Sequence, residues 1–366
     1  MAADNSSQVL TDSLANSSPR RILIVLLGSI GDIVRALPLL GRLRRTYPGA
    51  HIAWAVEPKS KSILEGHRWL DELIVYERDD APWSVLRFLR QVRRARFDLV
   101  VDLQRHFKSG MITWVSGARE RVGFARENAK ELNRLFSNRH IAPQPSMRLK
   151  LLQYQAFADT LKLAPGPIEF GLGPAPEELT FARELLASAP APRLGIILGS
   201  SWPSRLYFPD AVAAVARQAA RTAAGVPGLH PVLLGGPAEA RFAAEVGACA
   251  PDLPLLNLVG KTSLRGLGAI FAQCAVAFGP DSGPMHIAAA VGCPVVSLWG
   301  STAPERSAPW GFAQFALKAE IPCHPCYLRR CPIGRECMRR IEPQAVVGAV
   351  RQALKEKLAS TCAPMV

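Results

Sequence analysis

The stretch Phe278–Thr302, FGPDSGPMHIAAAVGCPVVSLWGST, is compatible with few folds. Ala275 to Phe278 is a short apolar run of the kind that parallel strands bury on both faces. Asp281 and Ser282 then supply side-chain oxygens where a helix cap is wanted. Gly283 lets the backbone approach a ligand, Pro284 suits the first helical position, and Met285 to Val291 continue as a helix that Gly292 stops. A second apolar run leads to Gly300, Ser301, Thr302 and Pro304. Strand, turn, helix, strand is the order of a parallel α/β sheet. The amides of Ser282, Gly283 and Met285 at the carboxyl end of a strand would make an anion site fit for a diphosphate. His286, in the first turn, is placed to add a hydrogen bond or a positive charge. The same residues also make an ordinary capped helix, and alone they do not separate the two meanings.

The alternation recurs along the chain. Arg21 to Leu27 is a continuous apolar strand that Gly28-Ser29-Ile30-Gly31-Asp32 turns into a helix running to about Tyr47. No GxGxxG is present, and Asp32 at the helix start is either a cap or a functional carboxylate. His51 to Val56 is a second strand, followed by Glu57-Pro58-Lys59-Ser60-Lys61, whose lysines are surface charges or contacts for an anionic acceptor. Leu73 to Tyr76 and Leu99 to Leu103 are further strands, with a basic amphipathic helix from Pro82 to Arg96 between them. Proline and glycine crowd Leu163 to Arg193 around one helix, Glu177 to Ala187, which reads as a connection between domains. Beyond it, the strand Leu194 to Leu198 ends in Gly199-Ser200-Ser201-Trp202-Pro203-Ser204-Arg205, with two hydroxyls and a cation suited to phosphate oxygens or to a plain turn. The strand Pro231 to Leu234 ends near Glu239, a ribose ligand or a first-turn charge, and Gly260-Lys261-Thr262-Ser263-Leu264 opens the helix that precedes the first motif.

With 366 residues the chain has room for two cores, and 49% hydrophobic against 20% charged residues is a globular balance. The net charge of +14 calls for an anionic partner: nucleic acid, a membrane surface or a phosphorylated substrate. Basic residues are scattered without aromatic interleaving, and aromatics are only 7%, which disfavours nucleic acid. No apolar run approaches the roughly eighteen residues of a membrane span, and Met1–Pro19 is polar, without the form of a signal peptide. The expectation is a cytoplasmic protein with a disordered leader. Among eight cysteines, Cys249, Cys274 and Cys293 stand alone at apolar positions. Cys323, Cys326, Cys331 and Cys337, with His324 among them, match zinc in number but not in regular spacing, so reduced thiols without metal are expected.

Taken in order, these motifs resemble those of glycosyltransferase family 9, the lipopolysaccharide heptosyltransferases. The resemblance implies that Asp32, after Gly31, is the catalytic base. It implies that Ser200, Ser201, Arg205, Glu239, Thr262, Asp281, Ser282, Gly283 and His286 bind the nucleotide-sugar donor. Asp102-Leu103-Gln104-Arg105-His106-Phe107-Lys108-Ser109 is similar to the family's Asp-x-Gln-Gly-Leu-x-Lys-Ser segment, with Arg105-His106 in place of Gly-Leu. Lys108 would join Lys59 and Lys61 on the acceptor, and Asn138-Arg139-His140-Ile141-Ala142 also resembles an acceptor-side segment. The implied fold is α/β of GT-B architecture, two Rossmann-like domains with parallel sheets facing a central cleft. In this division residues 1–19 are the leader, 20–172 the acceptor-side domain and 173–342 the nucleotide-sugar domain. Residues 343–366 would be a helix and tail packing back on the first domain. The implied activity is inverting transfer of heptose from ADP-heptose to the phosphorylated inner core of lipopolysaccharide. It would need no cofactor or metal, would take place at the anionic inner face of the inner membrane, and would involve no nucleic acid. Alternatives are another nucleotide sugar, a GT-B-fold epimerase or hydrolase, or a basic polyanion-binding protein.

Overall fold

The structure, a computed structural model, describes residues 18–77, 82–222 and 226–362, so most of the leader assigned to Met1–Pro19 lies outside the described residues. The described residues form two six-stranded sheets whose strand pairs are parallel. The first holds β1 (Arg21–Val25), β2 (His51–Val56), β3 (Glu72–Val75), β4 (Leu99–Asp102), β5 (Glu120–Gly123) and β6 (Arg139–His140), in the order β3-β2-β1-β4-β5-β6. The second holds β7 (Arg193–Ile197), β8 (His230–Leu234), β9 (Leu256–Asn257), β10 (Val276–Pro280), β11 (Val295–Trp299) and β12 (Ala316–Lys318), in the order β12-β11-β10-β7-β8-β9. Contacts divide the chain into two units. Gly28–Pro38 and Pro145–Tyr154 group with the unit built on the second sheet, together with Ile168–Val366. The helix α1 (Ile30–Thr46) therefore contributes its first turns to that unit.

In the first sheet the central strands are the apolar runs. Ile22, Leu23, Ile24 and Val25 are fully buried, as parallel strands covered on both faces must be. Buried Trp54 donates its indole N–H to the carbonyl of Leu26 at 3.0 Å. The N–H of Leu27 donates to Gln104 Oε1 at 3.2 Å, and the Leu27 carbonyl accepts from Glu57 N at 2.9 Å. The strand end that leads into the Gly28–Asp32 turn is thus tied to its neighbours on both sides.

The segment after β4 is fixed by a buried polar knot. Asp102 Oδ1 accepts from Gln104 N at 3.0 Å. Asp102 Oδ2 accepts from Ser109 Oγ at 3.1 Å and from Asn133 Nδ2 at 2.8 Å. Ser109 belongs to α2 (Phe107–Val115), so the Asp-to-Ser spacing read from the sequence closes a loop between a strand end and the helix it feeds. The bulky Arg105-His106 pair is accommodated outside the knot. Arg105 stacks 4.2 Å from the Phe124 ring centroid, and His106 faces Glu131 at 3.0 Å. Asn138 clasps the sheet edge, its Oδ1 accepting from Arg121 N at 2.8 Å and its Nδ2 donating to Arg119 O at 2.8 Å.

In the second unit, α3 (Lys150–Thr160) begins within the inserted Pro145–Tyr154 segment, and α4 (Gly283–Ala290) follows β10. The final helix α5 (Pro343–Cys362) corrects the expectation that it returns to the first domain. Its apolar stripe, Val346, Val347, Val350, Ala353 and Leu354, is buried in the core of the second unit with Val276, Phe278, Val296 and Leu298. Lys357 Nζ also donates to the Cys274 carbonyl at 3.0 Å, satisfying a carbonyl just past the helix Leu264–Ala272.

Burial pushes the Asp102 carboxyl up to about 7, against hydrogen bonds from Asn133, Gln104 and Ser109 that favour its ionised form. Because the folded value lies above the unfolded one, the contribution of Asp102 to folding stability is greatest below about pH 4, falls through the window to about pH 7, and levels off above it. Asp102→Asn should remove that decline, which amounts to roughly 1.4 kcal/mol per pH unit. Denaturant titrations across the window check it, and a slope equal to that of the parent would refute the assignment to Asp102.

Candidate active site

The site gathers where β7, β8, β10 and β11 end. Ser282 occupies the N-cap of α4 in extended conformation, but its side chain makes no cap hydrogen bond, and Ser282 Oγ is buried without a partner. Asp281 does not cap the helix either. Its Oδ2 accepts from Thr302 Oγ1 at 2.7 Å and lies 3.1 Å from Arg205 Nη1. The expected capping role of these two residues is therefore corrected: tertiary partners take Asp281, and the first amides of α4 have no side-chain cap. An uncapped helix start with an unpartnered hydroxyl beside it is suited to anionic oxygens.

Ser200 and Arg205 reach the same point. Ser200 Oγ donates to the Asp281 carbonyl at 2.9 Å, and Arg205 lies 4.0 Å from the Trp202 ring centroid, which fixes its guanidinium. Ser201 is exposed on the adjoining loop. Glu239 accepts from Gly236 N at 2.8 Å and packs against Gly199, where an added Cβ would come within 2.6 Å of its Cδ. Thr262 is half-buried one residue before Ser263, which caps the helix Leu264–Ala272 by accepting from Gly266 N. The neighbouring Gly260 N donates to Gly235 O at 2.9 Å, so this loop lies beside the one that carries Glu239.

The cysteine-rich segment buttresses these turns. His324 Nδ1 donates to the Gly300 carbonyl at 2.6 Å, Tyr327 N donates to Ser301 O at 2.7 Å, and Ser204 Oγ donates to Leu328 O at 2.7 Å. Cys323, Cys326, Cys331 and Cys337 are free thiols, and Cys337 is buried. Among the described residues no three His, Cys, Asp or Glu side chains are arranged to hold one metal ion.

The Gly28–Asp32 turn comes close to α4. A Cβ on Gly283 would lie 2.8 Å from Ile30 Cβ, and one on Gly31 would lie 2.8 Å from the His286 ring, so both positions need glycine for the approach. Asp32 then meets two cations that sequence reasoning missed. Its Oδ1 accepts from Arg35 Nη2 at 2.8 Å and from Lys150 Nζ at 2.8 Å, while Ser29 Oγ donates to Oδ2 at 3.2 Å. Burial alone would raise the Asp32 carboxyl, but Lys150 and then Arg35 outweigh it and hold it well below the usual carboxylate range. Burial, aided by repulsion from Arg35, lowers the Lys150 ammonium, with Asp32 opposing the shift.

His286 is a second correction. It is buried, and burial next to the Arg35 guanidinium drives its pKa well below the ordinary value. The ring is therefore neutral, with Nε2 accepting from Arg35 Nη1 at 2.7 Å. It cannot bring the positive charge the sequence suggested; it orients Arg35 instead. Arg35 and Arg205 interact electrostatically with both Asp32 and Asp281, Lys150 interacts with Asp32, and Arg306 adds repulsion at Lys150. Arg35 is buried and the other three are half-buried, and such a gathering of cations is unfavourable unless an anion joins it. The spacing of Arg35, one helical turn beyond Asp32, was a readable signal. Nothing in the sequence pointed to Lys150, 118 positions from Asp32.

The lysines expected on the acceptor lie in the first unit. Lys108 Nζ pairs with Glu57 Oε1 at 2.9 Å, and Lys59 Nζ stands 3.4 Å from Glu57 Oε2. Lys61 is apart from them, paired with Glu65 at 2.9 Å.

Two parallel six-stranded sheets in Rossmann-like order are the architecture of the GT-B glycosyltransferases. The model of glycosyltransferase family 9 (heptosyltransferase) matches residues 85–336, and the chain belongs to that family. It is 28% identical over 358 residues to lipopolysaccharide heptosyltransferase 1 of Pseudomonas aeruginosa, covering 89% of this chain and 96% of the relative. It is 25% identical over 301 residues to lipopolysaccharide core heptosyltransferase OpsX of Haemophilus influenzae, covering 81% and 84%. The solved structure of E. coli ADP-heptose lps heptosyltransferase II superposes with a TM-score of 0.73 at 22% identity, over 92% of this chain and 99% of that one.

Lys150→Met should move the Asp32 carboxyl titration upward, because Arg35 alone then opposes the cost of burial. Carboxyl-carbon NMR titration measures it; an Asp32 signal that titrates as in the parent would exclude Lys150 as its partner.

Proposed function

We propose that this glycosyltransferase moves a heptose from ADP-heptose to the inner core of lipopolysaccharide with inversion at the anomeric carbon. The observation that carries the proposal is the gathering of buried and half-buried cations around Asp32 and Asp281 beside the uncapped start of α4. In support, the two relatives named above are lipopolysaccharide heptosyltransferases, and the superposed structure is described as acting with ADP-heptose.

The donor diphosphate would take the α4 amides, Ser282 Oγ, Ser200, Ser201 and Arg205, with Asp281 and Thr302 holding Arg205 in place. Glu239 would accept hydrogen bonds from the ribose, Thr262 would lie under the base, and Gly283 would keep the helix start open to the oxygens. The acceptor hydroxyl oxygen forms a bond to the anomeric carbon as the bond from that carbon to the diphosphate oxygen breaks. The hydroxyl proton passes to Asp32, and ADP leaves with the bonding electrons. The cations offset the charge that gathers on the diphosphate, so the step requires no bound metal. Lys150 and Arg35 also couple donor to base. A diphosphate that draws these cations toward itself loosens their hold on Asp32, and the carboxylate becomes more basic only when a donor is present.

Lys59, Lys61 and Lys108 would face phosphates of the acceptor. Among the described residues no helix is long and apolar enough to cross a membrane. The enzyme would work in the cytoplasm, in peripheral contact with the anionic inner face of the inner membrane where such an acceptor is carried.

Asp32→Asn should lower turnover by about 10²-fold or more while ADP binds no more weakly, since the change removes a negative charge from an already cationic site. Steady-state kinetics and calorimetry together decide; unchanged turnover would remove Asp32 as the base. Arg205→Ala should weaken ADP binding about tenfold or more through loss of a charge-assisted contact. Equal affinity in calorimetry would reject that contact.

A further inference from the structure

The first unit holds a feature that the chemistry of transfer does not use. Leu132 and Leu135 are 70% and 66% exposed, and Phe107 beside them is 48% exposed. They form one patch. Leu135 N donates to the Leu132 carbonyl at 3.0 Å, and Phe107 meets Phe136 edge-on with ring centroids 5.3 Å apart. Large apolar side chains this exposed and contiguous on a folded protein mark a contact surface.

The loop that carries the leucines is built to hold them outward. Glu131 and Leu132 have φ of +50° and +60°, a backbone region that a bulky leucine avoids unless its surroundings fix it. Asn133 fixes it. It is fully buried, and its Nδ2 donates to Asp102 Oδ2, to His106 O at 3.0 Å and to Ser109 Oγ at 3.1 Å. Lys130 N donates to Arg105 O at 2.8 Å. Glu131 is exposed too, but it is engaged, accepting from Phe107 N at 3.1 Å and facing His106, whereas Lys130 and Arg134 are exposed beside the leucines. The outward surface is therefore apolar, with a rim in which cations outnumber the one paired acid.

We infer that Leu132 and Leu135, flanked by Lys130 and Arg134, dock this protein on an anionic phospholipid bilayer. This deepens, and rests on, the reading above in which the acceptor is carried by a membrane. The leucines would enter the boundary between headgroups and acyl chains while the two cations meet lipid phosphates. An aqueous sugar or nucleotide gives no reason to hold leucines outward in strained backbone, and a rim with an excess of positive charge favours an anionic surface.

The test is co-sedimentation of the full chain with vesicles of phosphatidylcholine, with and without phosphatidylglycerol, in the absence of donor and acceptor. The parent should bind the anionic vesicles. Leu132→Ser with Leu135→Ser should lower partitioning about tenfold, with an unchanged melting temperature and unchanged transfer from ADP-heptose to a soluble, truncated core acceptor. Lys130→Glu with Arg134→Glu should abolish the preference for phosphatidylglycerol. Docking at this loop is overturned if the parent ignores anionic vesicles or the leucine variant binds as the parent does. It is also overturned if the leucines prove to mediate self-association without vesicle binding. Failure of the parent to glycosylate the soluble acceptor would count against the proposed transfer instead, and the vesicle result would stand separately.

Discussion

A carboxylate held between a buried guanidinium and a half-buried ammonium is the interaction on which the site depends. Asp32 accepts from both Lys150 and Arg35, and neither cation is balanced by that carboxylate alone. Low surrounding polarity makes each of these charges costly in isolation and their mutual attraction strong, so the group is stable only as a set. Neutral His286 completes the arrangement by accepting a hydrogen bond from the guanidinium without adding charge. The set sits one residue after Gly31 and beside the start of α4, so the charges converge where the backbone presents unpaired amides.

The second sheet serves this placement. Parallel strands need side chains that can be buried on both faces, and their helical connections direct every loop of interest to the carboxyl ends. Ser200, Glu239, Asp281 and Thr302 come from separate loops following β7, β8, β10 and β11. Long-range hydrogen bonds then choose among the local possibilities. Asp281 had the sequence position of a cap, yet Thr302 and Arg205 engage its carboxylate and leave the helix start open.

The central strands were legible because Ile22–Val25, Ile52–Val56, Leu194–Ile197 and Val276–Phe278 are apolar runs too continuous for solvent. The strands β5, β6, β9 and β12 were not read, since they are only two to four residues long and carry Glu120, Arg121, Arg139, His140, Asn257 or Lys318 at positions that leave no apolar pattern. Next to a turn, as at Asp32, Ser200 and Asp281, chain-local chemistry allowed a cap or a plain turn as readily as a ligand contact, and only the resemblance to glycosyltransferase family 9 pointed to a site there. Whether His286 brings a hydrogen bond or a positive charge stayed open in the sequence, because its charge depends on burial against Arg35, 251 positions away. The membership of Lys150 in the site likewise exists only after folding, and its neighbours along the chain carry no trace of it.

The last helix has a practical meaning for anyone shortening this protein. Val346, Val350 and Leu354 lie in one core with Phe278, Val296 and Leu298, the very strands whose ends carry Asp281 and Gly300. A chain cut before Pro343 would leave that greasy underside naked to water, and such fragments would clump before any loss of chemistry could be assayed. Trimming from this end therefore amounts to dismantling the floor beneath the loops that carry Asp281 and Gly300, even though the helix itself lends them no side chain.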